Sequence, residues 1–161
     1  MPKIIVIAHN IRSTHNVGSI FRTCEGFGVL KLILSGYTPY PNIKNDSRLP
    51  HIANKLTAQI HKTALGAEEM LPFEYQDQPD LESLKEQGFT IIGLEQDKRS
   101  TILPSYNAPK KIVLLLGEEV EGITSDLRDR CDDLIEIPMQ GKKESFNVSV
   151  AAGIALYALT I

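Results

Sequence analysis

The sequence has few residues that could crosslink the chain through disulfides or metal ions. Its 161 residues include two cysteines, Cys24 and Cys131, which lie far apart and have neither CxxC nor metal-ligand spacing. A chain of this length can bury a sizeable core without such crosslinks. We therefore expect two reduced thiols packed in the fold and no metal site. A nucleophilic Cys24 would need an activating base beside it.

The sequence also lacks any apolar run long enough to cross a membrane. The N-terminal run Ile4–Ile7 is too short for the hydrophobic segment of a signal peptide, and no small-residue cleavage site follows it. We therefore expect a cytoplasmic protein with no membrane partner.

Two nucleotide-binding motifs are absent as well. An NAD or flavin enzyme needs GxGxxG directly after the first strand and an acidic residue after the second. Here His9–Arg12 follows the first apolar run and Gly36-Tyr37 follows the second, so neither requirement is met. No GxxxxGK[ST] is present, which excludes a P-loop nucleotide triphosphatase.

Charge is distributed unevenly along the chain, although the net charge of −3 is small. Residues 1–62 contain eight basic and two acidic side chains, a net charge of +6, and residues 63–161 contain nine basic and 18 acidic side chains, a net charge of −9. This asymmetry favours one face that meets a polyanion, with an accidental distribution as the alternative.

Apolar runs alternate with helix-like segments, which is typical of a mostly parallel sheet with helices on both faces. We predict an α/β fold in one domain spanning residues 1–161, because no repeat or linker interrupts the pattern. The predicted strands are Ile4–Ala8, Lys31–Ser35, Thr90–Leu94, Lys111–Leu116 and Leu134–Ile137, with a short one near Met70–Glu74. The predicted helices are Val17–Phe27, Ser47–Thr57, Asp80–Gln87, Thr124–Asp129 and Val148–Thr160. The last helix is apolar on nearly every side, which predicts a central helix or a subunit interface.

Polar side chains follow three of the predicted strands. In Asn10–Val29 a loop leads into the first helix, and Arg22 falls one turn after Gly18, on the face predicted to overlook that loop. Free N–H groups at this junction and the guanidinium suit a phosphate, although for Arg22 alone a solvated helix residue is the favoured explanation.

The second segment, Ile112–Ile123, places three glutamates in a tight turn after a buried strand, which is costly unless a partner or ligand uses their charge, with a solvated acidic turn as the alternative. The third segment, Ile135–Tyr157, contains Ser145, Asn147 and Ser149 just before the apolar helix, where they could cap the helix or contact a ligand. The carboxyl ends of parallel strands share one edge of a sheet, so we expect all three segments to meet at one crevice.

Together the three segments resemble motifs 1, 2 and 3 of the SpoU/TrmH branch of the SPOUT RNA 2'-O-ribose methyltransferases. HNVGSIFRT resembles motif 1, LLLGEEVEGI resembles motif 2, and IPMQGKKESFNVSVAAGIALY resembles motif 3 with its Ser-x-Asn-x-Ser core. The resemblance spans nearly the whole chain. Glu118 and Phe146 depart from the residues common in the family.

The resemblance implies a C-terminal deep trefoil knot that binds S-adenosyl-L-methionine, with S-adenosylhomocysteine as the product. By matching position, the cofactor-binding residues would be Gly93, Leu94, Leu116, Gly117, Ile137, Met139, Ser145, Phe146 and Val148. It also implies a homodimer with the active site near the interface, which would explain the apolar last helix.

The resemblance further implies a catalytic set formed by Arg22, Asn16, Glu119, Asn147 and Ser145. A guanidinium stays charged in proteins, so we expect Arg22 to orient a phosphate and stabilise the ribose oxyanion rather than act as a base. Asn16 and Asn147 would position Arg22 and the ribose, and Glu119 would fix the arginine or the motif 2 turn.

The substrate implied by the resemblance is RNA, with tRNA favoured over rRNA. Many relatives carry an N-terminal RNA-binding extension, and none is expected here. Substrate selection is then expected from the catalytic core, from the Gly36–Lys55 region or from an accessory protein. Two alternatives are a non-catalytic SPOUT-fold protein that binds RNA or cofactor, and a purely structural dimerisation domain, which would leave the polar residues after three strands unexplained.

Overall fold

A computed structural model describes all residues from Met1 to Ile161 and contains one seven-stranded sheet. The strands are β1 (Lys3–His9), β2 (Lys31–Ser35), β3 (Phe73–Gln76), β4 (Thr90–Leu94), β5 (Thr101–Ile102), β6 (Lys111–Leu116) and β7 (Asp133–Glu136). Their order across the sheet is β3-β2-β1-β6-β4-β7-β5, and every neighbouring pair is parallel. All strand carboxyl ends therefore lie at one edge.

Six helices connect these strands: α1 (Thr14–Gly26), α2 (Pro50–Ala64), α3 (Ala67–Met70), α4 (Leu81–Glu86), α5 (Ser125–Arg130) and α6 (Val148–Thr160). The predicted second helix, Ser47–Thr57, was wrong at both ends. Pro50 occupies the first turn, where its missing N–H costs nothing. The helix ends only where Leu65 and Gly66 adopt positive φ angles of 53° and 100°.

The hydrophobic core lies in two layers, one on each face of the sheet. The larger layer packs α1, α2, α3 and α6 against the alternating side chains of β1, β2 and β6. The smaller layer packs α4 and α5 against the opposite face. This arrangement confirms the predicted α/β class with helices on both faces, whereas β5 and α3 were not predicted. The trefoil knot stays a prediction from the resemblance.

Both cysteines are free thiols within this core, as predicted. Cys24 is fully buried on α1, and burial raises its pKa far above the usual range of a thiol. Burial, with a contribution from Asp132, raises the pKa of Cys131 to about 11. Neither thiol is therefore activated as a nucleophile. None of the helices is both long and apolar enough to pass through a membrane.

Candidate active site

The three polar segments meet at the carboxyl edge of the sheet. Glu119, in the turn after β6, accepts hydrogen bonds from the backbone N–H groups of Arg12 and Ser13 at 3.2 and 3.4 Å. It also accepts one from the side-chain amide of Asn16 at 3.3 Å. One carboxylate thus fixes the loop between β1 and α1, more than 100 residues away in the sequence.

Asn16 connects this loop to the third segment. Its Oδ1 accepts a hydrogen bond from the side-chain amide of Asn147 at 3.1 Å. Asn147 is the N-cap of α6, and its Oδ1 accepts from the N–H of Ser149 at 2.9 Å and from its hydroxyl at 2.6 Å. Glu119, Asn16 and Asn147 therefore form one hydrogen-bonded chain across the three segments.

A cavity of about 400 Å³ opens beside this chain of hydrogen bonds. Its apolar wall comes from the ends of β4 and β6, the loop after β7 and the start of α6: Leu94, Leu116, Ile137, Met139, Phe146 and Val148. Gly117 and Ser145 also line it, so eight of the nine residues predicted to bind the cofactor share one cavity. Volumes of this order are typical of small-molecule sites.

Gly93 is the predicted cofactor residue that does not line the cavity. It lies in β4 and faces the smaller core layer, where a Cβ atom would approach Leu134 Cδ2 at 2.8 Å and Cys131 Sγ at 3.0 Å. Strand side chains alternate between faces, so position 93 points away from the cavity. Core packing therefore explains why position 93 is a glycine.

The acidic turn after β6 is held together by its own side chains. Glu118 accepts hydrogen bonds from the N–H groups of Val120 at 3.3 Å and Glu121 at 2.6 Å, so Glu118 rather than Glu119 holds the turn. Glu95, which the sequence did not indicate, accepts from the N–H of Ile123 at 2.6 Å. Gly117 is required because a Cβ atom there would lie 2.5 Å from the Ile123 nitrogen.

Arg22 is not hydrogen-bonded to any other predicted catalytic residue. It is exposed on α1 and makes no hydrogen bond or ion pair, so within one chain Asn16 and Asn147 bind each other rather than the guanidinium. Gly18, one turn before Arg22, packs against α2. A Cβ atom at Gly18 would collide with Thr63 Oγ1 and the Ile60 carbonyl oxygen, so Gly18 allows close packing of α1 on α2.

An apolar stripe runs along the exposed side of α6. Val150, Tyr157 and Ile161 are 50%, 59% and 86% exposed, and Ile154 lies between them at helical spacing. The opposite side of α6 is buried against the core through residues such as Ala152 and Leu156. Exposed apolar stripes of this kind mark interaction surfaces.

The chain matches the family model described as the SpoU rRNA Methylase family over residues 3–157. It is 33% identical over 158 residues to the 23S rRNA (guanosine-2'-O-)-methyltransferase RlmB of Nitrosomonas europaea, covering 97% of this chain and 55% of the relative. It is also 33% identical over 156 residues to the tRNA (guanosine(18)-2'-O)-methyltransferase of Aquifex aeolicus, covering 96% of this chain and 67% of the relative.

Among solved structures, the fold is similar to that of the SpoU methyltransferase AviRb from Streptomyces viridochromogenes in complex with AdoMet. The TM-score is 0.80 at 22% identity, and the match covers 98% of this chain and 57% of that chain. The chain spans only 9% to 55% of the length of several curated relatives that it matches.

Proposed function

Because the chain belongs to the SpoU rRNA Methylase family, we propose that it methylates ribose 2'-hydroxyl groups in RNA with S-adenosylmethionine as the methyl donor. The observation that carries this proposal is the hydrogen-bonded chain of Glu119, Asn16 and Asn147 at the mouth of the cavity. These residues come from the three motif-like segments, and they are joined where a cofactor and a nucleotide could meet.

The cavity residues fit S-adenosylmethionine in shape and charge. The apolar wall of Leu94, Leu116 and Ile137 suits an adenosine moiety. Carboxylates at the rim, including Glu95, Glu118 and Glu121, suit a ligand that carries a cationic sulfonium and an ammonium group. The backbone at the ends of β4 and β6 supplies hydrogen-bonding groups to the same space.

The proposed reaction forms a bond between the methyl carbon and the ribose 2'-oxygen and breaks the bond from that carbon to sulfur. The hydroxyl proton leaves to solvent, and S-adenosylhomocysteine is released. Since the cofactor supplies an already activated methyl group, the protein has to position the ribose and stabilise the developing negative charge on its oxygen.

Within this scheme Arg22 holds the nucleotide phosphate and stabilises the oxyanion, and Asn16, Asn147 and Ser145 orient the ribose. Glu119 acts as a positioning residue, because its carboxylate is engaged by two backbone N–H groups and by Asn16. Arginine side chains do not act as bases in proteins, so we assign Arg22 no role in proton transfer.

We also propose a homodimer in which the stripe of Val150, Ile154, Tyr157 and Ile161 is covered by a second copy. The stripe belongs to the helix that Asn147 caps, so the interface would lie beside the active site. Arg22 has no partner in its own chain, and a site completed across this interface would give its guanidinium a role. Size-exclusion chromatography with light scattering tests this, and Tyr157→Asp should yield monomers.

Among RNA substrates, we propose tRNA over rRNA. Among the bacterial relatives, the one from Aquifex aeolicus is named for a tRNA guanosine and is covered to 67% of its length, whereas those named for 23S rRNA are covered to 55% or 57%. An accessory protein that delivers the RNA remains part of the proposal.

The test is methyl transfer from tritium-labelled S-adenosylmethionine to separate pools of unmodified tRNA and rRNA, followed by nuclease and alkaline digestion. Label in alkali-resistant dinucleotides from tRNA supports the whole proposal, and label only from rRNA overturns the tRNA preference. Label on a base overturns ribose methylation. Cofactor binding without transfer to either pool, even with cell extract added, favours the non-catalytic alternative.

A further inference from the structure

A second cavity of about 720 Å³ lies beside the loop that Glu119 fixes. Arg12, Ser13 and His15 form one wall of this groove, and Leu56 and Gln59 of α2 form another. The N–H groups of Arg12 and Ser13 meanwhile donate to Glu119, which lines the cofactor cavity. A single loop therefore lies between the two cavities.

Tyr37 is held in place at the edge of this groove. Its backbone N–H donates to Asn10 Oδ1 at 3.0 Å, and the loop that carries it is anchored by the buried Thr38. The Thr38 hydroxyl donates to the Ala8 carbonyl oxygen and accepts from the Ile11 N–H, both at 2.9 Å. These bonds fix the backbone of Tyr37 while half of its side chain remains exposed.

The other aromatic residues of the groove are already paired within the chain. Tyr40 stacks on Tyr75 with ring centroids 4.1 Å apart, and the Arg48 guanidinium covers the other face of Tyr40 at 3.5 Å. Arg48 is itself neutralised by Asp46 at 2.7 Å and donates to the Tyr40 carbonyl oxygen. Arg48 and Tyr40 therefore build the wall and have little capacity left for a ligand.

Arg12 and Tyr37 are the pair in the groove that remains available. The Arg12 guanidinium lies 5.7 Å from the Tyr37 ring centroid and makes no ion pair. An exposed aromatic ring beside a guanidinium that makes no ion pair offers stacking for a planar base and a charge for a phosphate.

The surroundings of the groove favour a polyanion. Helix α2 contains no acidic residue, and its exposed Lys55 and Lys62 make no ion pair. These lysines belong to the N-terminal stretch whose net charge is +6. A long anionic ligand that passes the groove would therefore meet uncompensated positive charge along α2.

We propose that this groove binds a single-stranded nucleotide next to the methylated one, with its base stacked on Tyr37 and its phosphate bound by Arg12. The identity of the ligand as RNA rests on the proposed function. The loop of Arg12 and Ser13 lies between the two cavities. One RNA strand that crosses this loop would place one nucleotide in the groove and the ribose of its neighbour at the mouth of the cofactor cavity.

The test measures fluorescence anisotropy of a fluorescein-labelled single-stranded RNA dodecamer over a series of salt concentrations. We expect Tyr37→Ala to raise the Kd by about 5- to 20-fold, as loss of one stacked base predicts, and Tyr37→Phe to stay within about 2-fold of wild type. Arg12→Ala should raise the Kd and reduce the slope of log K against log salt by about 0.7, as loss of one phosphate contact predicts.

Lys110→Ala is the matched control, because Lys110 is exposed at the opposite edge of the sheet, before β6. It should leave both the Kd and the salt slope close to wild type. The proposal is overturned if Tyr37→Ala and Arg12→Ala both bind like wild type, if Lys110→Ala weakens binding as much, or if a duplex of the same sequence binds equally well and equally depends on Tyr37.

Methyl transfer by the wild-type protein separates the two proposals. If the wild-type protein methylates RNA and the groove variants bind the dodecamer like wild type, the groove proposal is overturned and the proposed activity stands. Binding of the dodecamer through Tyr37 and Arg12, without any transfer to tRNA or rRNA pools, supports the groove and overturns the proposed activity.

Discussion

The side-chain amide of Asn147 donates a hydrogen bond to Asn16 Oδ1 at 3.1 Å, joining the N-cap of α6 to the first turn of α1. The two residues are 131 positions apart in the sequence. Because the Oδ1 of Asn147 caps its helix while its amide reaches Asn16, the two ends of this side chain have separable roles.

Asn147→Asp should separate those roles. A carboxylate keeps the cap to Ser149 but cannot donate to Asn16, so we expect a free energy of unfolding close to wild type and a large loss of methyl transfer. Asn147→Ala should lose both, with a cost of about 1 kcal/mol from the missing cap. Chemical unfolding and transfer assays on both variants measure this, and full activity in Asn147→Asp would contradict the positioning role.

Glu119→Ala should loosen the loop between β1 and α1. Removing an acceptor of three hydrogen bonds at a half-exposed position should lower the free energy of unfolding by about 1 kcal/mol. Amide hydrogen exchange at Arg12 and Ser13 should accelerate in the variant. Glu121→Ala is the control for stability, because the Glu121 carboxylate is exposed and unbonded, and it should change the free energy by less than about 0.5 kcal/mol.

Gly18→Ala and Gly26→Ala should change stability in opposite directions. A Cβ atom at Gly18 would collide with α2, so we expect a loss of about 1–3 kcal/mol from overpacking. Gly26 has open space around it at the end of the same helix, and alanine there should stabilise by up to about 1 kcal/mol. Equal effects in thermal unfolding would show that close packing of α1 on α2 does not explain Gly18.

Arg22→Ala should lower methyl transfer by at least about 100-fold, as expected for loss of a group that stabilises transition-state charge. Cofactor affinity should stay within about 2-fold, and stability should be unchanged because Arg22 makes no contact that holds the fold. Arg22→Lys should recover only part of the activity, since it lacks the planar fork of donors. Wild-type turnover in Arg22→Ala would contradict the proposal that Arg22 stabilises the oxyanion.

The His61–Glu68 pair should make stability depend on pH. The hydrogen bond from His61 Nδ1 to Glu68, 2.6 Å long, raises the pKa of His61 above its usual 6.5. The stabilisation is fully present below about pH 6.5 and is lost as the pH rises through the folded-state pKa. Unfolding of wild type and His61→Gln between pH 5.5 and 8.5 should show a difference that shrinks with increasing pH, and a constant difference would contradict the pairing.

The sequence predicts the sheet well because its strands are buried on both faces. Continuous apolar runs such as Lys111–Leu116 predict buried strands directly. The polar residues after these runs predict the sheet edge where ligands bind. The two-residue strand β5 has no such signal, because Thr101 and Ile102 are both exposed. Helix α2 ends where Leu65 adopts a left-handed conformation. Leucine rarely adopts this conformation, so the sequence does not predict the end of the helix.

Contacts within the site are less predictable than its location. The sequence identifies Glu119 as a functional residue, but it does not predict the hydrogen bonds of Glu119 to Arg12 and Ser13. Those residues are 107 and 106 positions away, and only the packing of the whole fold brings them together. The Arg12–Tyr37 pair was missed for the same reason. Asn10 and Thr38 are the residues that bring the two loops together, and in the sequence both look like ordinary loop residues.

The loop at Arg12 and Ser13 contacts both the turn that lines the cofactor cavity and the proposed RNA groove. Its backbone is held by Glu119 on the cofactor side, and the Arg12 side chain faces the groove. If a ligand that shifts the Glu119 turn changes affinity in the groove, linkage requires the reverse effect to have the same magnitude. The total binding free energy of cofactor and RNA would then be the same whichever of the two bound first.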